Sequence, residues 1–272
     1  MYAIRGSTAT SQNEIFAERE RTSTGRTANL DWLADRLADL GAPDEGETLV
    51  LLLGGRSAYD FRVRVAQSHL RDDMSPSHWS HAALVDAVAD PLGSTSLREV
   101  ALEPRDGFGM PATTNAVQTT TLDWYADPEL VPNIAVLCVP TPTSAWRGRS
   151  DAPGRSEQTS VLEQFTQQRV IVDMPALVLR WLGFVWGVGK SGNPVLDGDG
   201  VPSAVMIETL VTAAGYDLTP GLDSRAATPE GFWQTARWWH TYFALQDRRP
   251  VRGYYWVADR LDYAPSRLRA GA

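Results

Sequence analysis

The chain has 272 residues, of which 43% are hydrophobic, 21% charged and 9% aromatic. That balance excludes a disordered tail and a fibrous rod, and the length suffices for one large domain with a real core. A net charge of −8 argues against general nucleic-acid binding and against docking on anionic lipid through a basic patch, and the single cysteine, Cys138, excludes an intrachain disulfide or a multi-cysteine zinc site.

Residues 1–26 are polar and rich in Ser, Thr, Arg and Glu, and read as a flexible arm. They hold no apolar stretch of the kind an export signal needs, so a cytoplasmic location is expected. Residues 27–247 read as a single domain and 248–272 as a C-terminal extension. Within the domain, Leu30, Leu33, Leu37 and Leu40 recur at helical spacing before a Gly41 stop. Thr48–Leu53 is an apolar run ending in Gly54-Gly55, which predicts a buried strand. Phe61, Val63 and Val65 alternate and predict a short strand. Further strands are expected over His81–Val88, Leu97–Leu102 and Asn133–Val139. Residues 104–132 lack periodicity and read as loop, and 140–154 as a linker or surface loop.

The second half changes character. Helices are expected over Glu157–Gln168, Asp173–Trp186 and Ala204–Ala214, with a Gly- and Pro-punctuated loop over 187–202. The apolar stretch 170–188 carries Asp173, Pro175 and Arg180, which are costly in a bilayer, so it reads as a buried core helix with no stable membrane insertion. Thr228-Pro229-Glu230 is a start signal: a threonine cap, a proline at the first helical position and an acid near the positive end of the dipole. An aromatic helix, Phe232–Leu245, follows. Strands gathered in one half and helices in the other give an α+β class.

Two places carry candidate chemistry. His81 stands at the head of a strand, in Trp79-Ser80-His81-Ala82-Ala83-Leu84-Val85. Ser203 follows Gly200-Val201-Pro202 where a helix begins, and the amide hydrogens and dipole of a helix start favour an anion. Taken singly, each has a plain structural reading: a packed strand histidine, and a serine N-cap. Other motifs are weaker. Asp197-Gly198-Asp199-Gly200 begins like a calcium loop, with Glu208 in twelfth place, but Val201 and Pro202 occupy a ligand and a turn position. Gly187 to Gly192 contains Gly-Lys-Ser without the phosphate-loop spacing. No metal or cofactor is therefore expected. Cys138 sits mid-strand and reads as an inert buried thiol. Trp233, Trp238, Trp239 and His240 share one helix and read as core or pocket wall.

Together, the Ser-His strand and the later segment Pro202-Ser203-Ala204-Val205-Met206-Ile207-Glu208, ending Ala213-Ala214-Gly215, resemble the circularly permuted papain-like group of the NlpC/P60 superfamily. Members of that group carry Cys-Ser-Glu-Leu-Val, a helical stretch and then Ala-Gly. Tyr216-Asp217-Leu218 and Thr228-Pro229 are similar to the group's ending. The resemblance spans about residues 48–243 and implies a papain-like α+β fold, a small antiparallel sheet on helices, with the histidine strand ahead of the nucleophile helix. Counted back from Gly215, the group's cysteine falls on Ser203. The resemblance implies Ser203 as nucleophile, His81 as base and an acid orienting His81. Glu103 is the first choice for that acid and Glu99 the second, since alternation puts Leu97, Glu99, Ala101 and Glu103 on one face. Backbone amides at Ala204 would form the oxyanion hole, with Pro202 and Trp79 lining the cleft.

Serine at position 203 is the departure. A thiol with a pKa of about 8.5 ionises readily beside an imidazole, whereas a hydroxyl must be activated during attack. An engineered Cys→Ser change, a natural serine hydrolase and a natural pseudoenzyme all account for it. The expected function is a thiol-type hydrolase cleaving an amide, peptide or related acyl bond, with a peptide, an acyl compound or a protein as substrate. The alternatives are an inactive papain-like binding module and a lipid acyltransferase. Substrate identity and oligomeric state are not written in the sequence.

Overall fold

A computed structural model describes residues 28–41, 47–102, 114–140, 155–213, 216–245 and 251–258. The first helix, α1, spans Asn29–Leu40 and ends at Gly41, whose φ of 76° suits a residue without Cβ. Strand β1 (Glu47–Gly54) follows, then α2 (Ala58–Ala66), β2 (His81–Ala87), β3 (Ser96–Glu99), β4 (Gln118–Thr121) and β5 (Asn133–Pro140). Four helices come next: α3 (Arg155–Gln167), α4 (Met174–Val185), α5 (Pro202–Ala213) and α6 (Pro229–Leu245). Strand β6 (Arg252–Val257) closes the order.

The six strands form one antiparallel sheet in the order β4-β3-β2-β1-β5-β6. This is an α+β architecture. The central strand β1 is apolar on both sides because both faces of the sheet are covered. Leu49, Leu51 and Leu53 face α1, with Ala83, Leu97, Ile134, Val136 and Cys138 on the same side. Val50 and Leu52 face the helical layer, where Phe165, Trp181, Met206, Ile207, Phe232 and Trp233 complete the larger core. Burying a large apolar side chain contributes about 1.5–3 kcal/mol, so this two-sided burial dominates stability.

Three sequence expectations are corrected. Phe61–Val65 is not a strand but part of α2. The Ser57 side chain accepts from Asp60 N, and the Asp60 carboxylate accepts from Ser57 N, a capping box that starts a helix. The alternation of Phe61, Val63 and Val65 is incidental to a helix whose buried positions are Val63, Arg64 and Ala66. Residues 104–132 are not all loop: Gln118–Thr121 pairs with β3, and Leu122–Tyr125 makes a 3-10 turn against the α1 face. Residues 252–257, set within a C-terminal extension, pair with β5 from Asn133↔Val257 to Cys138↔Arg252 and belong to the sheet.

Candidate functional site

The segments singled out in the sequence do meet, but their side chains do not. Helix α5 packs on β2 from the helical side. There the Ser203 hydroxyl donates to the carbonyl of Ala82, the neighbour of His81, and accepts from Val100 N at 3.1 Å. The β2–β3 register sets Leu84 opposite Arg98, so its continuation sets Ala82 opposite Val100. The hydroxyl thus bridges the two strands just where their direct ladder stops. Pro202 opens α5, which places Ser203 inside the first turn rather than at the cap. Ser203 and Ala204 are fully buried and Pro202 is buried with them. The helix mouth is closed to solvent and offers no oxyanion hole.

His81 lies on the other side of the sheet. It pairs in register with Leu53, whose side chain belongs to the α1 face, and period-two alternation sends the imidazole there as well. Its Nε2 is 2.9 Å from Glu99 Oε2. The same carboxylate oxygen accepts from the Tyr125 hydroxyl at 2.5 Å, and the Tyr125 ring stacks on the imidazole with centroids 6.1 Å apart. Glu99 is fully buried, while 14% of the His81 side chain reaches solvent. With Glu99 ionised, Nε2 must carry the proton, which leaves Nδ1 as the basic nitrogen.

The pairing of Ser203 with His81 is therefore corrected: one residue's side chain is spent on two backbone groups of the sheet, and the other points out of the opposite face. Glu99, the second choice for the orienting acid, is the residue that holds His81. Glu103 lies outside the described residues. Trp79 lines no cleft; it is wholly buried, edge-on to Trp233 at 5.4 Å. Cys138 is buried, and desolvation pushes its thiol up to about 12, as expected of an inert residue. Asp197 and Asp199 are held by Arg180 instead of facing a common ion. Among the described residues no group of three or more His, Cys, Asp or Glu side chains is placed to hold a metal.

Glu208, weighed in the sequence only as the twelfth position of a calcium loop, belongs instead to a buried polar group with Tyr216 and Thr219. Glu208 is 1% exposed, with Oε1 accepting from Leu218 N and Thr219 N, while Oε2, the Tyr216 hydroxyl and Thr219 Oγ1 are buried without hydrogen-bond partners. Burial raises the Glu208 carboxyl to about 7 despite the amide bonds that oppose it. A glutamate on an otherwise apolar helix face was the only signal available. Comparison with protein-family models, with curated proteins and with solved structures gives no match.

Proposed function

We propose that the chain is a non-catalytic binding module on a papain-like scaffold, with the histidine strand ahead of the helix that carries position 203. The observation that carries this reading is the bonding of Ser203: both hydrogen-bonding roles of its hydroxyl go to Ala82 and Val100, and none of it reaches solvent. A nucleophile needs a base in bonding reach and room for a carbonyl carbon. Ser203 serves instead as a strand bridge. The test uses a fluorophosphonate probe on the full chain and a thiol-directed acyl probe on Ser203→Cys. Both are expected to leave position 203 unlabelled under native conditions. Labelling that disappears in His81→Ala would overturn the reading.

The His81–Glu99–Tyr125 arrangement favours a second reading, the hydrolase. In it, His81 Nδ1 activates a water molecule, and Glu99 fixes the tautomer and stabilises the imidazolium. This reading requires hydrolysis of an amide or acyl bond that survives Ser203→Ala and is lost in both His81→Ala and Glu99→Gln.

A further inference from the structure

The buried group around Glu208 has a chemistry that neither functional reading uses. It is built where α5 ends. Tyr216 N donates to the Val211 carbonyl at 3.1 Å, which turns the chain back along the helix. The returning segment gives Leu218 N and Thr219 N to Glu208 Oε1 at 3.1 and 3.2 Å, and Thr212 Oγ1 donates to the same oxygen at 3.4 Å. One carboxylate oxygen is thus filled by protein donors. The other, Oε2, is buried without a partner, as are the Tyr216 hydroxyl and Thr219 Oγ1. Burial is the largest influence on both ionisable groups. Beneath it, the Thr219 hydroxyl draws the Glu208 carboxyl down, and the Glu208 charge pushes the Tyr216 phenol up, so the three oxygens share one neighbourhood.

Charge points the same way as the orphaned oxygens. After burial, the exposed Asp217 carboxylate also raises both Glu208 and Tyr216. Among the described residues neither Glu208 nor Asp217 pairs with an arginine, lysine or histidine, and no positive charge acts on Glu208. Two carboxylates and two hydroxyls, with acceptor capacity to spare and no counter-charge, make the all-oxygen donor set that a hard cation takes. A water molecule would answer the hydrogen bonding and leave the carboxylates uncompensated, whereas a divalent cation answers both. The irregular spacing of donors on one short segment suits calcium, which tolerates uneven geometry, better than magnesium, which demands an octahedron.

We infer that Glu208 Oε2, Thr219 Oγ1, the Tyr216 hydroxyl and the Asp217 carboxylate form a calcium site that pins the segment after α5 to the helix, with Asp217 at its mouth. This is not the loop that begins like a calcium motif in the sequence, because Asp197 and Asp199 are held by Arg180. The site lies on the helical side of the sheet and shares no residue with the His81–Glu99–Tyr125 arrangement or with Ser203. It is therefore independent of both functional readings, and a reactive position 203 would leave calcium binding untouched.

The test is calorimetric titration of the full chain, first stripped with chelator, with calcium chloride at pH 8, together with thermal unfolding with and without the ion. Saturable binding with a Kd of about 10⁻⁴–10⁻³ M and a raised Tm are expected. Magnesium should bind roughly tenfold more weakly or worse. Glu208→Gln keeps an oxygen for the Leu218 and Thr219 amides, so circular dichroism should be unchanged while calcium affinity falls about tenfold or more. Asp217→Asn, at the surface, tests the site without touching the core and should lose affinity severalfold. Asp197→Asn combined with Asp199→Asn should bind as the parent does. Absence of saturable binding, equal stabilisation by calcium and magnesium, full affinity in Glu208→Gln or Asp217→Asn, or loss of binding in the Asp197 and Asp199 double variant would each overturn the inference.

Discussion

At the scale of single residues, the chemistry of this protein turns on what each polar side chain already holds. Ser203→Ala would orphan Val100 N–H and Ala82 C=O in a dry site, so it should cost about 1–3 kcal/mol in denaturant unfolding. Ser203→Cys should recover only part of this, because sulfur is larger and a weaker partner. Glu208 makes a prediction of opposite character. Its folded value of about 7 lies above the ordinary 4.5, so the native state holds the proton more tightly than the unfolded chain. Its contribution is fully present below pH 4.5 and is lost as pH rises to about 7, a fall on the order of 3 kcal/mol. Glu208→Gln should remove that slope, which urea unfolding at pH 4.5, 6 and 8 would measure; an unchanged slope would show that Glu208 is not its source.

At the scale of elements, α2 shows how a local device overrides a pattern. Phe61, Val63 and Val65 alternate like a strand, yet Ser57 and Asp60 close a capping box at the preceding turn. Asp60 Oδ1 also accepts from Ser80 Oγ, tying the helix start to the strand that carries His81. Asp60→Ala should therefore cost more than Ser57→Ala, roughly 2–3 against 1 kcal/mol, since it frees three donors, Ser57 N, Ser57 Oγ and Ser80 Oγ, where Ser57→Ala frees Asp60 N alone. Gly55→Ala should be as damaging, because an added Cβ would come within 2.0 Å of the Asp60 carboxylate. The helices of the second half were legible because Thr228-Pro229-Glu230 and the apolar spacing in α4 and α5 act locally. Strand β4 was not, because Gln118-Thr119-Thr120-Thr121 is polar and becomes a strand only through its pairing with β3.

At the scale of the whole molecule, the sheet is completed by the chain's far end. Removing residues 251–272 would strip β6 from β5 and leave an apolar strand as an open edge. The truncated protein should aggregate on size exclusion while the full chain does not. The sequence by itself determined the α+β class, β1, β2 and β5 as strands, the five helices α1 and α3–α6, and the burial of Cys138, because composition, period and caps are properties of neighbouring residues. It also brought position 203 to the histidine strand. Only the tertiary structure decided which way each side chain points: a strand sends successive residues to opposite faces, so His81 and the Ala82 carbonyl that holds Ser203 serve different sides of one sheet. The same holds for α4, whose pattern announces an apolar helix but whose uncovered face depends on how much of it the rest of the chain can reach.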